Sequence, residues 1–99
     1  MRVEWTDRAF ADLDAAYSYI DERNPEAAVR FFREMFAAVK ELATFPEMGP
    51  LVFDVEPPGY YRQIVRDHHR VFYRLERDTV IVLRVWDSRR DPRTLEVTE

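Results

Sequence analysis

The chemistry-bearing side chains gather in the last third of the chain. Between residues 60 and 93 every cation is an arginine, nine in all, and the protein's single lysine, Lys40, lies outside that segment. Arg62, Arg66, Arg70 and Arg84 fall in or at the ends of runs with strand character, and Arg89, Arg90 and Arg93 follow the last of them. A guanidinium offers a planar fork of donors that matches phosphate or carboxylate, so a sheet face bearing several of them beside the ring of Trp86 suits a polyanion or an acidic peptide. The alternative is that these strands pair with acidic helices on the surface. His68-His69 is the only histidine pair, and an imidazole at this position suits general acid–base work. Read as neighbours in an exposed turn, the two rings are expected to diverge, and neither a metal site nor a cofactor is expected. Asp12 and Asp14 point to different sides of a helix and make a poor catalytic pair. The chain has no Gly-rich phosphate loop and no nucleophile elbow.

The arginines stand out because the whole is acidic. The 99 residues carry a net charge of −4, with six Lys+Arg against twelve Asp+Glu over 1–59 and nine against five over 60–93. A dedicated nucleic-acid binder is expected to be basic throughout. Hydrophobic residues make up 46% of the chain, enough for a core, and the length fits one domain spanning residues 1–99. There is no cysteine, which excludes a disulfide framework, a thiolate metal site and a thiol nucleophile. No apolar run reaches the roughly 20 residues of a membrane span, and no signal-peptide core precedes Asp7. The expected location is the cytoplasm.

The elements that must position these groups follow from pattern. Val3 to Trp5 reads as a strand stopped at Thr6, which caps a helix over 7–22 with Phe10, Leu13, Tyr17 and Ile20 at helical spacing. Asn24-Pro25 ends it and starts a second helix over 25–45, and the short link predicts an antiparallel hairpin. Two glycines and four prolines from Pro46 to Gly59 mark a loop, with a short extended piece at Leu51 to Val55. Strands are predicted at Tyr60 to Arg66, Arg70 to Glu76 and Thr79 to Trp86, the last two joined by a tight turn at Arg77-Asp78. Alternation puts Ile81, Leu83 and Val85 on one face of the last strand and Val80, Val82, Arg84 and Trp86 on the other. With both faces apolar it is expected to be central. The fold class is α+β: an N-terminal strand, an antiparallel helical hairpin, then a three- to four-stranded, mainly antiparallel sheet.

Phe31, Phe32, Met35 and Phe36 occupy more than one stripe of the second helix. Core packing absorbs some of them. The surplus, with Tyr60 and Tyr61, suggests an apolar surface that a partner covers.

Taken together, Val3-Glu4-Trp5-Thr6, Ala9, Asp12-Leu13, Tyr19-Ile20, Pro25 with Ala27-Ala28, Leu42 then Phe45-Pro46 then Gly49, Arg70-Val71-Phe72-Tyr73 and Val85-Trp86-Asp87-Ser88-Arg89-Arg90-Asp91-Pro92 resemble the ParE/RelE superfamily of toxins. The resemblance runs through nearly the whole chain in the same order. It implies a bacterial type II toxin–antitoxin module of the plasmid-stabilisation kind, the fold above, and a cognate antitoxin bound in a hetero-oligomer. RelE-like members cleave mRNA on the ribosome without a metal, which requires a base for the 2′-hydroxyl, cations for the phosphate and an acid for the leaving oxygen. Arg70 and Arg89 match the phosphate-stabilising arginines of such nucleases, and Arg62 falls where they carry a basic residue. Asp87 stands where related sequences have a histidine, and Thr94 to Glu99 lacks their terminal tyrosine or histidine. The Trp-Thr, Tyr-Ile and Pro-Glu-Ala-Ala spacing resembles ParE more closely. That resemblance implies inhibition of DNA gyrase by binding rather than catalysis. A ribosome-dependent mRNA endonuclease and a non-toxic, antitoxin-binding remnant are the alternatives.

Overall fold

The computed structural model describes residues 1–98. Strand β1 (Arg2–Trp5) leads into helix α1 (Asp7–Asp21) and helix α2 (Pro25–Thr44), and strands β2 (Arg62–Arg66), β3 (His69–Glu76) and β4 (Thr79–Asp87) follow. The sheet order is β1-β4-β3-β2, with β1 parallel to β4 and the other two pairings antiparallel. β4 is central, as its two apolar faces require.

Local chemistry sets the boundaries. Thr6 Oγ1 accepts the Ala9 N–H at 3.1 Å and Asn24 Oδ1 accepts the Ala27 N–H at 3.1 Å, so each helix opens on a side-chain cap. Asp7 and Glu26 place negative charge in the first turns, and Pro25 occupies a first-turn position where no N–H is needed. Arg77 takes up φ 52° in the β3–β4 turn. β2 begins at Arg62 rather than Tyr60, and the extended piece expected at Leu51 to Val55 is reduced to one bridge between Leu51 and Arg62. His69 is the first residue of β3 and is buried, not part of an exposed turn.

The helical hairpin covers one face of the sheet. Ala9 and Leu13 of α1, with Met35, Ala38, Val39 and Leu42 of α2, pack on Ile64, Val71, Tyr73, Val80, Val82 and Val85. Simple alternation fails within β4. Phe72 pairs with Arg84 and Tyr73 with Val82, so Leu83 is an extra residue in the ladder. This bulge reverses the facing of everything after it. Val85 therefore joins Val80 and Val82 under the helices, while Trp86 joins Ile81 and Leu83 on the opposite face.

That opposite face is not bare. Val52 and Tyr61 from the long loop and Val97 from the C-terminal segment are buried with Phe72, Ile81, Leu83 and Trp86, and Val55 and Leu95 lie against them. A thin second core thus closes over the sheet. The loop that feeds it is pinned where Tyr73 Oη donates to the Pro46 carbonyl at 2.7 Å and accepts the Gly49 N–H at 3.0 Å, and where Arg62 Nη1 donates to the Gly49 carbonyl at 2.9 Å. Among the described residues no helix is long and apolar enough to cross a membrane.

Candidate functional site

The arginines do not share one face. Register puts Arg62, Ile64 and Arg66 on the helix side of β2, where Arg66 lies 3.6 Å from Glu41 of α2 and Arg62 reaches back to the loop. Arg70 points the other way. It lies over the Phe72 ring, donates Nε to Gln63 at 2.6 Å and Nη2 to Asp54 at 3.0 Å, and the Asp54 carboxyl is held below its ordinary range by that hydrogen bond.

Arg84 and Trp86, expected on a binding face, are interior. The Arg84 side chain is 6% exposed. Its Nε donates to Asp12 Oδ2 at 2.7 Å, its Nη2 to Asp12 Oδ1 at 3.2 Å and its Nη1 to the Glu96 carbonyl at 2.6 Å. Asp12 Oδ2 also accepts the Val85 N–H at 3.0 Å. The bulge delivers the guanidinium to the sheet margin beyond the end of β1, where it joins α1, β4 and the C-terminal segment. Trp86 lies beneath that segment, with the Arg90 and Arg84 guanidinium carbons 4.3 and 5.3 Å from its ring centroid. A ring so covered offers no stacking plane to a ligand.

The exposed cations form a smaller set. Arg89 and Arg90 line a cleft of about 470 Å³ between the C-terminal half of α1 and the end of β4, walled by Ala15, Ala16, Tyr19 and Ile20 on one side and His68, His69 and Asp87 on the other. Arg89 clasps Asp87 with Nε to Oδ1 at 3.0 Å and Nη2 to Oδ2 at 2.7 Å, and its backbone N–H adds a bond to Oδ1 at 2.9 Å. These bonds hold the Asp87 carboxyl far below the usual carboxylate range. Arg93 makes the same local clasp with Asp91 and stays exposed. The two imidazoles do not diverge: the His68 and His69 rings lie 4.7 Å apart between centroids, and the pair borders Asp87. Burial, with a contribution from the adjoining His68, lowers the His69 pKa and favours its neutral form.

The aromatic residues divide as well. Met35 is fully buried and Tyr61 is interior, because both complete cores, so neither is available to a partner. Phe31 is half-buried and rests 4.9 Å from the His69 ring. Phe32 and Phe36 are exposed, and they join Trp5 and Tyr17 in one run of rings across the hairpin, with centroid distances of 5.4 Å (Trp5–Phe36), 4.6 Å (Phe32–Phe36) and 5.9 Å (Tyr17–Phe32). Phe10, Leu13, Tyr17 and Phe32 line a shallow groove of about 180 Å³ beside it. Tyr60 is exposed and sets its ring edge-on to that of Tyr61, 4.9 Å away between centroids. Sequence reading missed the anchoring role of Asp12, although its signal was present. Asp12 sits on the apolar stripe three residues after Ala9 and four before Ala16, where a carboxylate needs a partner.

A parallel N-terminal strand, a helical hairpin and an antiparallel three-stranded remainder make the α+β fold that the resemblance to the ParE/RelE superfamily of toxins implies. The chain matches the family model for the ParE toxin of the type II toxin–antitoxin system, parDE, over residues 3–92, and it belongs to that family. It is 39% identical over 72 residues to Toxin RelE2 of Caulobacter vibrioides, covering 67% of this chain and 82% of the relative. The fold matches a chain of the chromosomal ParDE TA system from P. aeruginosa with a TM-score of 0.71 and 27% identity, over 86% of this chain and 92% of that one.

Proposed function

We propose that the protein arrests growth by binding DNA gyrase and that a cognate antitoxin neutralises it in a hetero-oligomer. The observation that carries this reading is the separation of the two arginines that would serve phosphate chemistry. Arg70 lies on the loop-covered face, bound to Asp54, and Arg89 lies in the helix-side cleft, bound to Asp87. Cations that neither converge nor stand free of carboxylates are poorly placed to stabilise one developing phosphate charge. The exposed Arg89, Arg90 and Arg93, with Arg66 at the sheet edge, suit a protein surface instead.

Growth of cells expressing the chain without an antitoxin, together with a supercoiling assay on the purified protein, tests it. Growth arrest and loss of gyrase supercoiling are expected, and Arg89→Ala with Arg90→Ala weakens both while Tm stays within about 2 °C, because exposed, locally paired charges contribute little to stability. Intact supercoiling at excess toxin, with codon-linked mRNA cuts by primer extension, replaces this reading with the endonuclease. Normal growth leaves the antitoxin-binding remnant.

For the antitoxin, the rings of Phe32 and Phe36 offer an apolar helix-in-groove surface, with Phe31 at its margin and Tyr60 as a separate contact. Phe36→Glu is expected to lower co-purification with the antitoxin at least about tenfold, the scale of an aromatic anchor lost from an interface, without loss of toxicity. Undiminished co-purification moves the antitoxin to the Tyr60 side.

A further inference from the structure

We propose that His68, His69 and Asp87 form a binding site for one first-row divalent transition-metal ion, with zinc as its test ligand. One donor atom from each of the three lies within 4.8 Å of the others. Zinc bonds of about 2.0–2.2 Å place tetrahedral ligand atoms about 3.4 Å apart, so closing the site takes a contraction of up to about 1.4 Å, within reach of side-chain rotation. Two imidazoles and a carboxylate suit zinc, nickel or copper, and they do not suit magnesium or calcium, which take oxygen ligands.

Three features make this more than a chance proximity. The first is that backbone pairing fixes the geometry. His69 stands opposite Asp87 in the β3–β4 ladder, and the His68 carbonyl accepts the Ser88 N–H at 2.8 Å and the Ser88 hydroxyl at 2.7 Å, so the β2–β3 turn is tied to the end of β4. Asp67 at φ 56° swings His68 back beside His69 instead of leaving it on the opposite face.

The second feature is that His69 Nδ1 is buried without a hydrogen-bond partner, the one such side-chain atom among the described residues. A buried polar atom left unpaired is costly, and an ion ligated through Nδ1 would give this one its partner.

The third is that Asp87 keeps capacity for a metal while it holds Arg89. Its two oxygens present about four lone-pair sites, and Arg89 fills three of them. The Arg89 clasp orients the carboxylate as hydrogen bonds orient the ligands of known metal centres. The cleft supplies the way in and leaves the fourth position to water. Bound there, the ion would bridge the β2–β3 turn to the Arg89-Arg90 segment. The inference is independent of which target the toxin engages.

Calorimetric titration of zinc chloride into the metal-stripped full chain, free of a histidine tag, tests the site alongside thermal melts. One ion per chain, a raised Tm and no response to magnesium chloride are expected. Cobalt chloride should give the intense visible bands of a low-symmetry four-coordinate ion. His68→Ala, whose ring is partly exposed, and Asp87→Asn should each weaken zinc binding about tenfold or more, and His68→Ala should leave the metal-free Tm unchanged. His69→Ala removes a buried ring, so it is read only if the variant still melts cooperatively. Zinc binding weaker than millimolar, binding unchanged in both His68→Ala and Asp87→Asn, or an equal response to magnesium overturns the proposal.

Discussion

Asp12→Ala is expected to cost about 3–5 kcal/mol, the scale on which one partner of a buried ion pair is removed. The magnitude follows from what is left behind. Arg84 keeps its charge with a side chain 6% exposed, and loses both bonds to Asp12, while the Val85 N–H loses its acceptor. Among the described residues the Glu96 carbonyl is then the one hydrogen-bond acceptor left to the guanidinium, beside the Trp86 ring. In a domain of this size about 4–8 °C of Tm accompanies each kcal/mol, so the transition should fall by about 12 °C or more. Asp12→Asn keeps an acceptor and should fall less. Replacing both partners, as Asp12→Leu with Arg84→Met, should recover much of the loss, because no charge is stranded. Chemical denaturation of the three variants measures this. A loss below about 1 kcal/mol for Asp12→Ala would place the pair among ordinary surface bridges.

Gly49→Ala is the second large expectation, about 3 kcal/mol, from overpacking against backbone. An added Cβ would lie 2.3 Å from the Gln63 carbonyl oxygen and 2.8 Å from Tyr73 Oη. The first obstacle is main chain, so no rotamer relieves it. Moving Gly49 aside would strain its N–H bond to Tyr73 and its carbonyl bond from Arg62 together. Gly59→Ala is the control. Its φ of +76° makes any side chain unfavourable, yet the Cβ meets only the ring of Phe53, which is 71% exposed and free to swing away. About 1 kcal/mol is expected there. Equal melting temperatures for the two variants would show that the Gly49 loop yields.

What could be read from the sequence was whatever is written locally. Thr6, Asn24 and Pro25 announce the helix starts, the Val- and Ile-rich runs announce the strands, and the apolar content of Thr79 to Trp86 announces a central strand. What could not be read depends on contacts distant in the chain. The bulge at Leu83 carries no glycine or other local marker, yet it moves Val85 under the helices, and Arg84 and Trp86 are interior because the long loop and the C-terminal segment cover the face opposite the helices. The second core was equally hidden, because Leu95 and Val97 are isolated apolar residues in a polar tail that reveals its purpose only once folded over Trp86. For the same reason the arginine cluster read as one surface and is in fact three environments. Arg62 and Arg66 lie on the helix side, Arg66 part-exposed at the sheet edge, Arg70 and Arg84 are held by contacts within the fold, and Arg89, Arg90 and Arg93 are exposed. The histidines followed a similar course, since the turn conformation at Asp67 decides where His68 points.

The parallel pairing of β1 with β4 has a consequence in time. Arg2 to Trp5 find their strand partners at Thr79 to Val82, and the guanidinium that anchors α1 waits for Glu96. Synthesis runs from the N-terminus, so the hairpin helices emerge with their sheet still unmade. Non-local pairings of this kind close late. An unfinished chain therefore has neither its core nor the Arg89-Arg90 cleft, and both take shape only as the last strand and tail arrive, a built-in delay between translation and a finished surface.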